Sequence, residues 1–568
     1  MLSRRTRISA AALTLSVAAA VGLVPASTAA VPSAASSVGA APTAPTFGAA
    51  ASKKTKPVTN AVTGTIPADA FDEESGLPAD VQIAGRTAVK DPLTPGDHRS
   101  ADTPAAAPGD LPVIRADLAA ADGNALTWSG TVDPARSVTL LALNHDTGRY
   151  EVLDTARGSA DGDTELAAAG PAGTISNGRA TVMVVGTDPF ADDLDEPVDD
   201  AFENTEGFDF SIMHLTDTQY ITEGATSRPS PKERRVWENG YKDTYRWLAK
   251  NKDKHKIAFA AHTGDVIENW HPTDPSGPYG TRRAEGEYRF ASEAERIADD
   301  SGVPHSVIPG NHDNRGGKDT GPDSMFNEHF GPDRYRALEQ TDGWRERSAE
   351  YHPWKEGDNQ NSYNLFTASG RDFIVINLGY DVTDEEADWA HSVLQQYPTR
   401  NAIITTHAND KPSKQADGRG DHDSHDGEVI RSRIVEKNPN VALVLSGHEH
   451  GVNIAVNRNV GQPGNHVVEL LADYQFYTVG SDEFGITDVG GYLINRQLRF
   501  GASYFRLLQF DLDRGEMSVD TYSPLLDDFG ASEHDTAKRY NGKEDDFRVP
   551  IQFQDRTTAF SADGFTAA

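Results

Sequence analysis

The stretch KIAFAAHTGDVIEN, residues 256–269, joins an apolar run to a polar cluster that contains Asp265. The apolar part has the length and composition of a buried β-strand, and the acidic residue follows where that strand should end. In open parallel sheets, binding sites form beyond the carboxyl ends of the strands. The stretch therefore predicts a strand that places Asp265 at the edge of a sheet.

Four other polar clusters follow apolar runs in the same way. They are Asp217 with Gln219 in FDFSIMHLTDTQY, Asn311 with His312 and Asp313 in HSVIPGNHDN, His407 in NAIITTH, and His448 with His450 in VALVLSGHEHG. Helical patterns at 232–250 and 291–300 separate some of these runs, and a hairpin is expected around Asp513. The pattern predicts a layered α/β domain over residues 205–530 that brings the five clusters to one rim.

The chain before this domain divides into segments by composition. Residues 1–30 carry Arg4, Arg5 and Arg7, an apolar stretch and small residues before Ala30, which predicts a cleaved signal peptide and a secreted, extracellular protein. The arginines leave the twin-arginine route open beside the Sec route. Residues 31–110, rich in Ala, Pro, Ser, Thr and Asp, are expected to form a disordered linker or pro-segment.

Residues 111–204 alternate short β-branched runs with turn-rich segments, which predicts a small all-β sandwich domain. We expect Trp128 and Tyr150 in its core. Because no ligand-like cluster follows its strands, a spacer role is expected, and a carbohydrate- or wall-binding module is the alternative. Residues 531–568 are expected to form a C-terminal extension with one more strand in FRVPIQF.

The composition restricts the partners and the chemistry. Asp and Glu outnumber Lys and Arg by 86 to 53, a formal net charge of −33 over 568 residues. Such a field repels nucleic acid and anionic membranes, so neither is expected as a partner; the alternative is that the acidity only keeps an exported protein soluble. The chain has no cysteine, so metal ligands must be oxygen or nitrogen atoms. The oligomeric state stays open.

Taken in order, the motifs resemble the signature of the calcineurin-like metallophosphoesterase superfamily. The matching elements are DTQ at 217–219, GDVIE at 264–268, GNHD at 310–313, His407 in TTHAND, and GHEH at 447–450. The resemblance covers about residues 205–525 and implies a two-sheet β-sandwich flanked by helices. The Asp-x-Gln form of the first motif is similar to that of an exported bacterial branch.

The resemblance also implies a dinuclear metal site. One divalent ion would take Asp217, Gln219, Asp265 and His450, and the other would take Asp265, Asn311, His407 and His448. Two such ions can offset the charge of a phosphate, generate a bridging hydroxide as nucleophile and hold the leaving oxygen. By the same resemblance, His312 donates the proton to the leaving group, and Asp313 orients His312 and raises its pKa.

Some positions depart from the usual pattern or lie beside it. Gln219 stands where most of the superfamily has histidine, and its harder amide oxygen favours Mn²⁺ over Zn²⁺ among the expected ions Mn, Fe and Zn; a site that binds only one metal tightly is the alternative. Glu268 replaces an Asp, and we expect little effect. His214 and His262 are expected to support or pack. His422 and His425 are expected in a solvated loop, or in one that faces the substrate.

The insertions at 270–290 and 315–355 are expected to be long polar loops that either wall a pocket or form solvated surface. The sequence as a whole predicts an exported, dinuclear metal-dependent phosphohydrolase that acts on a small phosphomonoester or phosphodiester. The alternatives are a catalytically weak wall-associated or phospho-polymer-binding protein and a nuclease-type phosphodiesterase.

Overall fold

The computed structural model describes part of the chain, and the described residues belong to one compact unit. It describes residues 60–567 except 73–74, 91–92, 94–98, 105–109, 122, 134–135, 160–161, 188–200, 228–229, 271–279, 318–319, 413–423, 458–459, 462–464, 486–492, 495–496, 500, 535–544, 552 and 554–559. The predicted signal peptide and His422 therefore lie outside the described residues.

The described N-terminal part consists of strands. They are β1 (Asn60–Pro67), β2 (Leu77–Pro78), β3 (Ala84–Ala88), β4 (Ala101–Asp102), β5 (Asp110–Ala119), β6 (Ala125–Thr131), β7 (Ser137–Asn144), β8 (Arg149–Arg157), β9 (Thr164–Ala169), β10 (Ile175–Ser176) and β11 (Arg179–Thr187). Most of them form a sheet in the order β2-β8-β7-β11-β5-β1-β3.

The rest of the chain mixes strands and helices. Its first half contains β12 (Phe210–Leu215), α1 (Gln219–Ser227), α2 (Pro231–Asn251), β13 (Ile257–His262), α3 (Thr281–Ser301), β14 (His305–Val307), α4 (Met325–Phe330), α5 (Pro332–Leu338), α6 (Asp342–Glu346), β15 (Glu350–Lys355), β16 (Asp358–Ala368), β17 (Arg371–Leu378), α7 (Asp384–Gln396) and β18 (Asn401–Thr406). Its second half contains α8 (His425–Arg433), β19 (Val441–Ser446), β20 (Gly451–Asn457), β21 (Val467–Asp473), β22 (Thr478–Gly480), β23 (Leu493–Ile494), β24 (Gln497–Arg499), β25 (Phe505–Asp511), β26 (Glu516–Ser523), β27 (Asp528–Phe529), β28 (Asp546–Pro550) and β29 (Ser561–Ala567).

Two sheets of this second part pack face to face. One has the order β14-β13-β12-β25-β26-β27, with β28 also on β26, and the other has the order β15-β16-β17-β18-β19-β21-β20. Buried residues such as Phe210, Phe259, Phe373 and Leu443 form one cluster between the sheets. Helices cover the outer faces: α1, α2 and α3 lie on the first sheet, and α7 and α8 lie on the second. The predicted α/β two-sheet sandwich flanked by helices is confirmed, as is the hairpin of β25 and β26.

The helices begin and end at residues suited to those positions. Ser230 caps α2 by accepting a hydrogen bond from the N–H of Glu233 at 3.5 Å, and Pro231 occupies the first turn, where its missing N–H has no cost. Gly302 caps the end of α3, and its φ of 74° is left-handed and favours glycine. The expectation of loops over 270–290 and 315–355 is wrong in part, because α3 begins at Thr281 and α4, α5, α6 and β15 lie in the second segment.

The N-terminal domain is a β-sandwich that includes the last described strand. Its second sheet has the order β4-β29-β6-β9, so β29 pairs with strands more than four hundred residues away along the chain. Trp128 is a core residue as predicted, and Phe560 packs edge-on against it at 5.7 Å between ring centroids. Tyr150 is also buried, on the opposite face of the larger sheet.

Two expected boundaries of this domain differ from the structure. Residues 60–110 are not a disordered linker where they are described, because β1 pairs along its whole length with β5 and contributes Ile66 to a buried cluster. The C-terminal extension is divided: β28 continues a sheet of the α/β part, whereas β29 completes the N-terminal sandwich. Neither contribution follows from local composition, since both depend on pairing with distant strands.

Candidate metal centre

The polar clusters follow parallel strands of both sheets. β12, β13 and β14 run parallel in one sheet, and β17, β18, β19 and β21 run parallel in the other. The carboxyl ends of these strands are followed by Asp217, Asp265, Asn311, His407 and His448. The two rims are joined directly, because the Nδ1 of His407 lies 2.8 Å from the backbone oxygen of Thr263.

Three of the predicted ligands have left-handed backbone conformations. The φ angles are 54° at Asp217, 54° at Asp265 and 73° at His448. Non-glycine residues adopt such angles at a cost of about 1–3 kcal/mol, and they collect at functional sites where the surroundings hold them in place. Here the N–H of His448 donates to Oδ2 of Asp217 at 3.0 Å, so one strained residue fixes the side chain of another.

Asp265, His407 and His448 form the centre of the site. Their potential ligand atoms all lie within 4.8 Å of one another. The Nε2 of His407 lies 3.4 Å from Oδ1 of Asp265 and 3.2 Å from Oδ1 of Asn311. Because Thr263 offers only a carbonyl oxygen, the proton of a neutral His407 lies on Nδ1, and Nε2 is the nitrogen that can bind a metal.

The charges at this centre favour a cation. Burial would lower the pKa of His407, but the carboxylate of Asp265 outweighs it and raises the pKa to about 10. Burial would likewise raise the pKa of Asp265, but His407 and His312 hold it well below its usual range. Burial and the charge of His407 lower the pKa of His448 to about 3, so this imidazole is neutral and has a lone pair for a ligand bond.

Gln219 lies next to this centre, at the first position of α1. Its Nε2 donates to Oδ2 of Asp265 at 3.0 Å and to Oε1 of Gln475 at 2.8 Å. Its Oε1 is buried and has no hydrogen-bond partner among the residues that the structure describes. A buried oxygen of this kind fits a metal ligand, as do the carboxylate, amide and imidazole atoms around it.

Asp217 is held from two sides. Its Oδ2 accepts the hydroxyl of Thr216 at 2.6 Å, and its Oδ1 accepts from Nε2 of Gln475 at 3.3 Å. Burial raises the pKa of the Asp217 carboxyl to about 6, although the charge of His407 opposes the rise. Its carboxylate is therefore costly to bury in the absence of a nearby cation.

His450 is placed differently from the other predicted ligands. It is exposed, and its ring lies on that of Phe476 with 3.7 Å between centroids. It does not belong to the group of Asp265, His407 and His448 within the part of the chain that is described. Tyr220, beside Gln219, also meets Phe476, with 5.6 Å between centroids, so aromatic side chains line this edge of the site.

His312 contacts Glu268, which corrects the expectation that Asp313 orients His312. Its Nδ1 lies 2.9 Å from the backbone oxygen of Glu268 and 3.2 Å from Oε2. The carboxylate of Asp313 instead accepts backbone N–H groups of Val266, Ile267 and Gly310 at 2.8–3.1 Å. Asp313 therefore fixes the two motif loops, and Glu268, not Asp313, is the carboxylate that faces the ring of His312.

The glycines of two motifs are required by close packing. A Cβ added to Gly310 would lie 2.1 Å from Oδ1 of Asp265, and one added to Gly264 would lie 2.7 Å from Nδ1 of His407. Gly264 also has a left-handed φ of 102°. Side chains at either position would displace the predicted ligands.

The family profile described as calcineurin-like phosphoesterase matches residues 210–452. This part of the chain is therefore similar to a calcineurin-like phosphoesterase domain. The matched family supports a phosphoester hydrolase in general, and it typically depends on divalent metal ions.

A bacterial relative extends beyond the phosphoesterase domain. The chain is 28% identical over 443 residues to Uncharacterized protein YvnB of Bacillus subtilis (strain 168), an alignment that covers 77% of this chain and 28% of the relative. The chain thus spans under a third of the length of that curated protein.

Solved structures resemble the chain more distantly. GAP50, described as the anchor in the inner membrane complex of Plasmodium, has a TM-score of 0.30 at 10% identity and covers 61% of this chain and 90% of its own. The 5'-nucleotidase from Candida albicans SC5314 has a TM-score of 0.28 at 11% identity and covers 60% of this chain and 55% of its own. Neither likeness supports an argument about function.

Other histidines of the phosphoesterase domain support its loops. The Nε2 of His262 lies 2.9 Å from Oγ1 of Thr218, and its Nδ1 accepts the N–H of Gly264 at 3.2 Å. His214 is buried beside Thr263, and burial lowers the pKa of both histidines to about 3. They are neutral supporting residues, as expected. His425 begins α8 and does not lie in a loop.

The sequence patterns missed residues that contact the phosphoesterase site from β21 onward. Asp473 ends β21, and Gln475 follows it; both are buried, and neither belongs to a motif. Burial raises the pKa of Asp473 well above its usual range. The only available signal was their position past the end of an apolar run, as for the five clusters.

No helix in the described segments has the length and apolar character needed to span a membrane.

Proposed function

We propose that this protein is an exported phosphohydrolase that uses two divalent ions to cleave a small phosphomonoester or phosphodiester. The observation that carries the proposal is the convergence of ligand atoms from Asp265, His407 and His448 within 4.8 Å at the rim of a phosphoesterase domain. Export rests on the composition of residues 1–30 alone.

The proposed ligands divide into two sets that share Asp265. The first set is Asp217, Gln219, Asp265 and His450, and the second is Asp265, Asn311, His407 and His448. When bound, the two ions would offset the charge of the phosphate and lower the pKa of a water molecule. The amide oxygens of Gln219 and Asn311 are hard, neutral ligands, which favours Mn²⁺ over Zn²⁺.

The proton donor is proposed to be His312. Burial would lower its pKa, but the carboxylates of Asp265 and Glu268 outweigh this and raise the pKa to about 10. In the metal-free protein the imidazole is therefore protonated near neutral pH, the form that a general acid requires. Because Glu268 accepts the proton on Nδ1, Nε2 is the nitrogen proposed to donate to the leaving oxygen.

The side chains around the site suit a small substrate. Tyr380 lies 5.1 Å from His448 and 5.9 Å from His407 between ring centroids, so its ring borders the proposed ligands. A chain with a net charge of −33 repels a long polyanion, which disfavours a nuclease. A phosphoester with one apolar or aromatic group fits both features.

The direct test compares three substrates with the full-length protein loaded with Mn²⁺. An aryl phosphate monoester, an aryl phosphate diester and single-stranded DNA are incubated with the wild type and with Asp265→Asn. We expect hydrolysis of at least one aryl ester, no cleavage of DNA, and loss of hydrolysis in Asp265→Asn. Hydrolysis that persists in Asp265→Asn, or metal loading without any hydrolysis, would contradict the proposal, and the latter result would favour a binding protein.

A further inference from the structure

A chain of buried side chains orients the amide of Gln475. Its Nε2 donates to Oδ2 of Asp473 at 2.9 Å and to Oδ1 of Asp217 at 3.3 Å. Its backbone N–H also donates to Oδ1 of Asp473 at 2.9 Å. Because the carboxylate of Asp217 accepts and an amide NH₂ donates, the NH₂ end of Gln475 faces Asp217, and Oδ2 of Asp473 lies on the same side. The oxygen end must then face the other way, toward Gln219.

The orientation of the Gln475 amide fixes the orientation of the Gln219 amide. Oε1 of Gln475 accepts from Nε2 of Gln219 at 2.8 Å, and the same Nε2 donates to Oδ2 of Asp265 at 3.0 Å. Both hydrogens of the Gln219 amide are thereby used. Its oxygen can only lie on the other side, where it is buried with no hydrogen-bond partner in the described part of the chain. Such a buried oxygen is unfavourable unless something binds it.

We propose that Gln475, oriented by Asp473, is a positioning residue that turns Oε1 of Gln219 toward the first metal position. A histidine at this position could bind a cation through whichever ring nitrogen faces it, whereas an amide has one end that binds a cation and one that repels it. A glutamine ligand therefore needs a partner that distinguishes the two ends. The inference rests on the proposed two-metal site and identifies what makes glutamine suitable in it.

Substitution of Gln475 by methionine tests the inference, because it removes both amide groups at similar volume. The full-length protein is stripped with EDTA, titrated with Mn²⁺, and measured for bound metal, affinity and electron paramagnetic resonance. The wild type should bind two ions per chain and show the spectrum of a coupled pair. Gln475→Met should bind the weaker ion about 10–100-fold less tightly and show the spectrum of an isolated ion.

A matched control and a rescue separate positioning from a structural effect. Gln509 of β25 has another buried amide, which lies beside the carboxylate of Asp520. Gln509→Met removes that amide and should leave metal binding unchanged. Gln219→His in the Gln475→Met background should restore the coupled pair, since either nitrogen of an imidazole can bind a cation, whereas only the oxygen of an amide can. If thermal unfolding in EDTA shows that Gln475→Met does not fold, Gln475→Asn, whose amide is too short to reach both neighbours, replaces it.

The outcomes distinguish this inference from the proposed function. Wild-type protein that binds fewer than two ions would overturn the two-metal proposal and this inference with it. Two ions and a coupled spectrum in both the wild type and Gln475→Met would overturn the inference alone. Failure of Gln219→His to restore binding to a folded Gln475→Met protein would also contradict it, because the loss would then not arise from the orientation of Gln219.

Discussion

The Nδ1 of His312 lies 2.9 Å from the backbone oxygen of Glu268 and 3.2 Å from Oε2 of the same residue. One residue thus fixes the tautomer of the imidazole and supplies a negative charge beside it. Glu268 is itself held in place, since Glu287 accepts its backbone N–H at 3.0 Å. Glu268, which replaces the usual Asp at the end of the second motif, is therefore the direct partner of the proposed proton donor.

Glu268→Gln should shift the pH dependence of hydrolysis. The pKa of His312 is raised to about 10 by neighbouring carboxylates against the effect of burial, so removing one carboxylate lowers it. A general acid is lost as pH rises through its pKa, so the alkaline limb of the kcat profile should move to lower pH by about 1–2 units. An unmoved limb in a fully metal-loaded variant would contradict the role of Glu268.

Asp313→Asn should act on stability instead. The carboxylate accepts backbone N–H groups of Val266, Ile267 and Gly310, and an amide NH₂ would face one of these donors. We expect a loss of about 1–3 kcal/mol in chemical unfolding of the metal-free protein, with the alkaline limb of the kcat profile unchanged. If the limb moves as in Glu268→Gln while stability is retained, Asp313 and not Glu268 controls His312.

His312→Ala should remove acid catalysis but leave metal binding intact. His312 is a proposed donor and not a ligand, so metal content should equal that of the wild type while kcat falls about 10²–10⁴-fold. The loss should be smaller for esters whose leaving group is already a good one, such as a nitrophenolate, than for an alkyl ester. An equal loss for both classes of ester would contradict proton donation by His312.

Phe565→Ala should destabilise the N-terminal sandwich. Phe565 of β29 is buried and lies opposite Trp128 of β6. The cavity should cost about 3–5 kcal/mol and increase hydrogen exchange in residues 125–131. Thr566→Ala, which removes only a hydrogen bond to Thr127, serves as the control and should cost about 1 kcal/mol. Unchanged exchange in residues 125–131 of Phe565→Ala would show that β29 does not stabilise this sheet.

Much of the site could be predicted because its ligands follow strands that are buried throughout and largely apolar. His407 comes directly after β18 and Asp265 shortly after β13, and parallel strands of two packed sheets bring their ends to one rim. The strand β29 could not be predicted in the same way. Its sequence SADGFTA has few apolar residues, and its partner β6 lies more than four hundred residues earlier in the chain.

The roles of Glu268 and Gln475 were hidden for a different reason. Both act through hydrogen bonds to a ligand or donor from another part of the chain, and spacing within a motif does not show which side chain a carboxylate or an amide faces. Asp313, adjacent to His312 in sequence, turns instead to the backbone of the loop at Val266. Sequence adjacency was therefore a poor guide to contact at this position.

The most direct measurement of the central claim is a Mn²⁺ titration of metal-free protein in which bound metal and hydrolysis of an aryl phosphate ester are followed together. The two-metal account predicts that hydrolysis rises with the second bound ion and saturates when about two ions are bound per chain. Full hydrolysis in the presence of EDTA, or protein that binds two ions and hydrolyses no ester, would contradict it.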